Sequence, residues 1–170
     1  YSDSSKIVSD ALWRSREFRD FALPRRFAAP LLARYEPGMK YGAHADAAFL
    51  PLPEGPLRSD VSCTVFISDP STYEGGELVI HLGMRAMPLK LAPGSAILYP
   101  STTLHEVAPV RSGQRLVSIT FIESMVPDEQ ERAMLFELGE VSAIEGNNMN
   151  WVNRMRLEVV RQNLTRKWSR

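Results

Sequence analysis

The region from residue 31 to residue 124 consists of short extended runs separated by turns, and no helical period is sustained across it. The turns contain pairs that favour chain reversal, such as Pro37-Gly38, Asp69-Pro70 and Pro93-Gly94. The extended runs lie at residues 30–35, 61–67, 77–80, 87–91, 95–99, 105–110 and 115–123. Many short strands at this spacing predict an all-β body, either a sandwich or a jelly-roll barrel.

Helices are predicted on both sides of this body. Before it, Ser4 or Ser5 can cap a single helix that Pro24 ends. One side of that helix carries Ile7, Val8, Ala11, Leu12, Ser15 and Phe18. After the body, Asp128 and Glu131 have the spacing of a capping box and open a second helix. A last helix begins near residue 148, runs toward Lys167, and carries on one face Trp151, Met155 and Val159.

The predicted fold class is therefore mainly β with flanking helices. A chain of 170 residues suits a single domain, since a domain of this size buries roughly two-thirds of its unfolded surface. We expect one domain over residues 1–170, with a β core at about 30–124 and a C-terminal helical segment at about 127–170. The sequence begins at Tyr1 rather than methionine, so we also expect an N-terminal portion to precede it. The oligomeric state is left open, because the C-terminal helices can pack on their own barrel or on a second copy.

Composition narrows the classes of partner. Lys+Arg and Asp+Glu both number 20, so the formal net charge is +0 and a nucleic-acid duplex is not an expected partner. No apolar stretch approaches the length of a membrane span, so no membrane partner is expected. Cys63 is the one cysteine, which rules out an internal disulfide and favours a reducing compartment, with the cytoplasm as the predicted location.

Three side chains form a candidate metal site. His44 and Asp46 are two residues apart, so in an extended segment they point the same way and can reach one ion together. His105 follows the run at 95–99, and a folded-over β body can bring it back to the first two. Two imidazoles and one carboxylate hold Fe(II) on one face and leave the other face open for oxygen and an organic co-substrate.

Arg115 is the candidate binding residue for that co-substrate. Along its run it shares a face with Val117, Ile119 and Phe121, an apolar row expected to point into the core. A guanidinium there needs an anion, since an unpaired buried charge is costly, and its planar fork suits a carboxylate. The alternative is that Arg115 reaches water at the strand end or pairs with Glu106 or Glu123.

Other polar residues are less convincing candidates. His81 precedes a turn-like Leu82-Gly83, which favours a solvated histidine, and Cys63 has no basic neighbour in sequence to activate it. The pair Gly75-Gly76 lacks the lysine and helix of a phosphate loop and is interpreted as a turn. Ser62 and Thr64 share one face of their strand, and we expect one of the two hydroxyls to line the pocket.

Several ordered segments resemble the prolyl/lysyl-hydroxylase-like branch of the Fe(II)/2-oxoglutarate dioxygenases, and more narrowly the bacterial PKHD-type hydroxylases. The resemblance is strong over residues 30–132 and weaker from residue 163 to residue 168. Its segments are Arg34-Tyr35 with Gly38-Met39, Tyr41-Gly42-Ala43-His44-Ala45-Asp46, Ser68-Asp69-Pro70 with Tyr73-Glu74-Gly75-Gly76-Glu77-Leu78, Leu98-Tyr99-Pro100-Ser101 leading to His105, and Val110 leading to Arg115.

The resemblance implies a double-stranded β-helix with a cupin-like core and a defined set of roles. His44, Asp46 and His105 would bind iron, and Arg115 would bind the distal carboxylate of 2-oxoglutarate, with the Tyr35 hydroxyl on that same carboxylate. A core aromatic at a strand end is the other interpretation of Tyr35. The implied reaction couples the oxidative decarboxylation of 2-oxoglutarate to succinate with hydroxylation of a substrate.

The implied cofactor is Fe(II), with 2-oxoglutarate and molecular oxygen as co-substrates and ascorbate as a supporting reductant. The primary substrate is a small molecule or a peptide that the sequence does not identify, and the proline-containing loop at 47–59 is either a substrate-selecting segment or an ordinary surface loop. Two alternatives are a non-catalytic β-barrel module that binds a metal or a small acid, and a zinc hydrolase with the same three ligands.

Overall fold

The computed structural model describes residues 3–170, and its centre is an all-antiparallel β body. Its strands are β1 (Pro24–Phe27), β2 (Leu31–Tyr35), β3 (Tyr41–His44), β4 (Phe49–Leu50), β5 (Leu57–Arg58), β6 (Val61–Phe66), β7 (Tyr73–Gly75), β8 (Leu78–Leu82), β9 (Arg85–Leu89), β10 (Ala96–Pro100), β11 (His105–Val107), β12 (Val110–Gly113) and β13 (Arg115–Ser124). The helices are α1 (Asp3–Arg14), α2 (Arg16–Ala22), α3 (Glu129–Glu145) and α4 (Trp151–Trp168). The predicted class, mainly β with flanking helices, is confirmed.

The larger sheet is built around β13, which pairs with three strands. Its order is β1-β13-β6-β10. The short strands β1 and β2 pair with the same edge of β13, β1 near the C-terminal end of β13 and β2 near its N-terminal end. A second sheet has the order β3-β11-β8-β9. The two sheets face each other across one apolar cluster, which contains Phe66, Tyr99 and Val117 from the first sheet and Leu78 and Ile80 from the second.

The opposite face of the larger sheet is covered by α1 and α2. Leu12 and Phe18 from these helices pack against Val61, Cys63 and Ile122 of the sheet in a second buried cluster. The central strands β6 and β13 therefore have two buried faces, one toward the helices and one toward the second sheet. This position between two layers explains the long buried runs in β6 and β13.

The prediction of a single N-terminal helix was wrong. The helix is interrupted at Ser15, whose backbone is extended (φ −67, ψ 124) and whose hydroxyl accepts a hydrogen bond from the Phe18 N–H at 3.2 Å. A serine with this geometry starts a new helix rather than continuing the old one. After α2 the chain passes through Leu23 in a left-handed conformation (φ 43) and enters β1, a strand that the sequence analysis did not identify.

The predicted strand at 105–110 is two strands. β11 ends at Val107 and β12 begins at Val110, with Pro109 between them. A proline cannot donate a ladder hydrogen bond, which accounts for the break. The two strands then pair with different partners, β11 with β3 and β8, and β12 with β7.

The C-terminal segment forms two helices that pack on each other. Asp128 caps α3 as predicted, since its carboxylate accepts a hydrogen bond from the Glu131 N–H at 2.9 Å. Asn150 caps α4 in the same way through the Asn153 N–H. α4 lies against α3, and its predicted apolar face, Trp151, Met155 and Val159, is exposed. Within residues 3–170, no helix is both long and apolar enough to cross a lipid bilayer.

The loop at 47–59 contains a small hairpin of its own. β4 and β5 pair antiparallel, and Leu57 in β5 is fully buried. The Ser59 N–H donates to the Ala48 carbonyl at 2.9 Å, which closes the base of the hairpin. The segment is therefore anchored at both ends, which the sequence pattern did not indicate.

Candidate metal and co-substrate site

The strand register brings the two histidines together. β11 pairs with β3 so that His105 and His44 are direct partners across the ladder. Side chains at such a position project to the same face of the sheet. Asp46 lies just beyond the end of β3, where its N–H donates to the Ser101 carbonyl at 3.1 Å. That bond ties the segment carrying Asp46 to the turn that leads into His105.

The three side chains converge on one point. His44 Nε2 lies 3.6 Å from Asp46 Oδ1, and His105 Nε2 lies 3.8 Å from Asp46 Oδ2. One nitrogen from each ring and one carboxylate oxygen lie within 4.8 Å of one another. Two imidazoles and a carboxylate at this separation have the donor chemistry and the spacing to coordinate a single Fe(II).

Backbone carbonyls orient both rings. His44 Nδ1 lies 2.8 Å from the Gly42 carbonyl, and His105 Nδ1 lies 2.9 Å from the Thr103 carbonyl. A carbonyl can only accept, so Nδ1 of each neutral ring must carry the proton. The lone pair is then on Nε2, the nitrogen that faces the cluster. This is the protonation pattern that a metal-binding histidine needs.

Aromatic packing further limits the movement of these rings. The ring centroids of His44 and His105 are 4.3 Å apart, those of Tyr41 and His44 are 4.3 Å apart, and those of Tyr99 and His105 are 4.9 Å apart. The four rings form a continuous row. The row leaves Tyr41 exposed at one end and Tyr99 buried at the other.

Arg115 is buried, and among residues 3–170 it has no ionic partner. The residue is only 1% exposed, and its Nε has no hydrogen-bond partner among residues 3–170. The two glutamates that the sequence offered as partners contact other residues. Glu106 Oε1 lies 3.4 Å from His81 Nε2, and Glu123 Oε2 lies 2.9 Å from Arg26 Nη2. Burial lowers the pKa of the Arg115 guanidinium, and the neighbouring phenol groups oppose that shift. A guanidinium in this state has the charge and the free donors to bind an anion.

Tyrosine rings surround this guanidinium. Tyr35 pairs with Arg115 across the β2–β13 ladder, and the Arg115 Cζ lies 4.9 Å above the Tyr35 ring. Burial raises the pKa of the Tyr35 phenol, so the hydroxyl remains a hydrogen-bond donor near neutral pH. Gly76, in the turn predicted from Gly75-Gly76, has φ +66, and a Cβ there would lie 3.0 Å from the Arg115 side chain. The glycine therefore makes room for the arginine.

One cavity of about 140 Å³ connects all of these groups. The candidate ligands His44, Asp46 and His105 line it together with Tyr35 and Arg115. The cavity therefore brings a cluster of three possible metal ligands and a buried guanidinium together in one space. A small dicarboxylic acid could contact both groups from within it.

Some pocket residues were not identified from the sequence. Tyr99 lines the cavity beside His105, and both Ser62 and Thr64 line it, where one hydroxyl was expected. Burial raises the pKa of the Tyr99 phenol, with the nearby Asp46 carboxylate acting in the same direction. The alternation of Ser62 and Thr64 with apolar residues was the available signal for those two residues. Nothing in the run at 95–99 distinguished Tyr99 from a core aromatic.

The residues set aside on sequence lie outside the cluster. His81 follows Ile80, which is buried in the apolar cluster between the sheets, and its ring is beside Glu106. Cys63 is buried under the helices, and burial raises the pKa of its thiol to about 12. A thiol in this state is inert near neutral pH.

Comparison with known proteins points to one family. The family model of the 2OG-Fe(II) oxygenase superfamily matches residues 30–123. A PKHD-type hydroxylase from Sphingopyxis alaskensis is 54% identical over 170 residues, which cover 100% of this chain and 78% of the relative. Another, from Shewanella sp. strain MR-4, is 43% identical over 153 residues, which cover 89% of this chain and 68% of the relative.

A solved structure supports the fold. The viral collagen prolyl hydroxylase of Paramecium Bursaria Chlorella virus-1 superimposes with a TM-score of 0.52 at 20% identity, covering 70% of this chain and 73% of that one. The predicted double-stranded β-helix is therefore confirmed. The chain belongs to the 2OG-Fe(II) oxygenase superfamily and, within it, to the PKHD-type hydroxylases. It is an Fe(II)- and 2-oxoglutarate-dependent hydroxylase, with 2-oxoglutarate and oxygen as co-substrates.

Proposed function

We propose that His44, Asp46 and His105 hold the Fe(II) of this hydroxylase. The observation that carries the proposal is their convergence within 4.8 Å in the same cavity as the Arg115 guanidinium, which has no ionic partner among residues 3–170. Bound Fe(II) supplies the chemistry by which 2-oxoglutarate, O₂ and a substrate C–H bond become succinate, CO₂ and a C–OH group. The two histidines present Nε2 lone pairs, since carbonyl groups fix the proton on each Nδ1.

Arg115 and Tyr35 bind the distal carboxylate of 2-oxoglutarate in this proposal. The guanidinium donates to the carboxylate oxygens, and the Tyr35 hydroxyl adds a further donor from the paired strand. The dianionic co-substrate supplies the negative charge that the buried arginine lacks among residues 3–170. The apolar walls of the cavity, including Leu78, Val107 and Ile119, exclude water from this contact.

The primary substrate is proposed to approach from the Tyr41 side. The Tyr41 ring lies against the His44 ring and is 53% exposed, so it offers an aromatic surface next to the proposed iron ligands. A small molecule or a peptide side chain would lie beside the proposed iron ligands there. Ascorbate is proposed as a supporting reductant.

Two further predictions concern the chain as a whole. The cytoplasm stays the predicted location, because the sequence contains a single cysteine. We also propose that the chain is one dioxygenase domain, with its β core at about 30–124.

Succinate formation tests the assignment of the ligands. Wild-type protein is expected to release succinate from 2-oxoglutarate only when Fe(II) and O₂ are both present, and adding a substrate should stimulate that release. His44→Ala and Asp46→Ala are expected to reduce it to background, because each removes one of three ligands. Turnover close to wild type in either variant would exclude that residue from the iron site. A thermal midpoint near that of wild type would show that a silent variant is folded.

A further inference from the structure

Three buried serine hydroxyls form a chain that ends on the carboxylate of Asp46. Ser62 Oγ lies 2.5 Å from Asp46 Oδ2, Ser101 Oγ lies 2.8 Å from Ser62 Oγ, and Ser59 Oγ lies 2.8 Å from Ser101 Oγ. All three serines are buried. A buried hydroxyl is costly unless it is hydrogen-bonded, and this chain gives each of the three a partner.

The direction of these hydrogen bonds follows from the carboxylate. An ionised Asp46 can only accept, so Ser62 must donate its one proton to Oδ2. The Ser62 oxygen then accepts from Ser101, and the Ser101 oxygen accepts from Ser59. Every hydroxyl dipole therefore points toward Asp46. Successive bonds aligned in this way polarise and strengthen one another.

The chain also connects separate parts of the fold. Ser59 follows the hairpin of β4 and β5, Ser62 lies on β6, and Ser101 lies in the turn between β10 and β11. The Ser101 carbonyl also accepts a hydrogen bond from the Asp46 N–H, and the Ser101 N–H donates to the Asp60 carbonyl at 3.1 Å. The segment that carries Asp46 is thus joined through Ser101 to the turn that leads into His105.

We propose that Ser62, supported by Ser101 and Ser59, is a positioning residue for the metal site. It fixes the rotation of the Asp46 carboxylate by engaging Oδ2, and it leaves Oδ1 without a hydrogen bond among residues 3–170. Oδ1 is the oxygen that lies 3.6 Å from His44 Nε2. The inference rests on the proposed role of Asp46 as a metal ligand. It adds a source of affinity and geometry that lies outside the three ligands.

Affinity for Mn(II) tests this role without requiring turnover. Mn(II) binding to the full chain is measured by calorimetry for wild type, Ser62→Ala, Ser101→Ala and Ser59→Ala. Loss of a group that orients a ligand typically weakens metal binding about 10- to 100-fold, which is the effect expected for Ser62→Ala. Ser101→Ala should have a smaller effect and Ser59→Ala the smallest, in order of distance from the carboxylate.

Two variants control for the loss of a buried hydroxyl. Ser118→Ala removes the hydroxyl of a serine on β13 that is 1% exposed and has no hydrogen-bond partner among residues 3–170, so Mn(II) affinity should not change. Ser62→Thr retains the donor and should restore most of the affinity.

The outcomes separate this inference from the proposed function. Wild-type binding no tighter than that of Asp46→Ala would overturn the metal assignment itself. Loss of binding in Asp46→Ala together with wild-type affinity in Ser62→Ala would overturn the serine proposal alone. A lowered thermal midpoint in metal-free Ser62→Ala with unchanged Mn(II) affinity would make the serine merely structural. If Ser62→Ala does not fold, Ser101→Ala decides the matter, since affinity equal to that of Ser118→Ala would contradict the proposal.

Discussion

The two faces of strand β6 are both buried but differ in chemistry. Val61 and Cys63 point toward α1 and α2, where they pack with Leu12 and Phe18. Ser62 and Thr64, which alternate with them, line the cavity that contains the candidate iron ligands, and Cys63 also borders that cavity. All four strand residues are at most 3% exposed. Burial therefore does not distinguish the functional face from the structural one, whereas side-chain polarity does.

This difference indicates that the helix face adds to the stability of the fold and that the cavity face lowers it. The helix face buries apolar groups, each of which contributes favourably to folding. The cavity face keeps hydroxyl groups and a guanidinium out of water, and the guanidinium has no ionic partner among residues 3–170. A buried unpaired charge costs stability. Substitutions on the helix face should therefore change stability, and substitutions on the cavity face should change binding.

The largest stability effect is expected on the helix face at Phe18. Its ring is 2% exposed and packs edge-on against Phe27 with a centroid separation of 5.7 Å. Phe18→Ala should lower the free energy of unfolding by about 3–5 kcal/mol, through lost burial and the cavity left behind. Urea unfolding measures this change. The rate of succinate formation per folded molecule should stay near the wild-type rate, and a large loss in that rate would break the comparison.

On the cavity face, Arg115→Met should have the opposite profile. The variant keeps an apolar stem of similar length but removes the donors to the distal carboxylate. A hydrogen bond to a charged group is worth about 1.5–3 kcal/mol, so the Michaelis constant for 2-oxoglutarate should rise about 10- to 150-fold. The free energy of unfolding should be unchanged or higher, because a buried unpaired charge is removed.

Three measurements check the Arg115 prediction together. They are steady-state kinetics with 2-oxoglutarate as the varied component, Mn(II) affinity, and urea unfolding. Mn(II) affinity should equal that of wild type, since Arg115 is not among the candidate ligands. An unchanged Michaelis constant with a clear loss of stability would make Arg115 a structural residue.

The smallest effect concerns Cys63 on the helix face. Burial raises the pKa of its thiol from 9.0 to about 12. Between these values the unfolded chain loses a proton that the folded chain keeps, so stability falls as the pH rises above about 9. The loss attributable to this thiol should be about 1 kcal/mol at pH 10. Below pH 8 the thiol should contribute no pH dependence.

Urea unfolding of wild type and Cys63→Ala at pH 7.5 and pH 10 measures the slope. The wild type should lose more stability between these values than the variant, whatever their absolute difference. Equal losses would mean that the thiol ionises as easily in the folded state as in the unfolded one. Succinate formation at pH 7.5 should be the same in both proteins.

Alternation along strands made much of this fold predictable. Turn pairs separated the main runs, and the capping of α3 by Asp128 followed from its spacing to Glu131. The break at Ser15 was not predictable from periodicity, because its apolar positions continue in helical register through Phe18. The short strands β4 and β5 were not predicted, because a strand of two residues has no periodic pattern.

Side-chain partners depended on register, which the sequence does not specify. His44 and Asp46 were recognisable as a pair from their spacing. His105 was predicted as the third ligand on the expectation that the β body folds over, and the resemblance implies the same three residues. Two pairs of residues face each other only because distant strands pair. These pairs are His105 with His44 and Arg115 with Tyr35. The chain from Ser59 to Asp46 depends on a loop, a strand and a turn meeting at one point. No local pattern encodes such a meeting.

The central claim is that three ligands and one guanidinium act on a single complex of Fe(II) and 2-oxoglutarate. Anaerobic titration tests it most directly, because Fe(II) with bound 2-oxoglutarate should give a weak visible charge-transfer band. Wild type should develop the band at stoichiometric Fe(II), His105→Ala should not, and Arg115→Met should need far more 2-oxoglutarate to reach it. A band of wild-type strength in His105→Ala at equal concentrations would contradict the account.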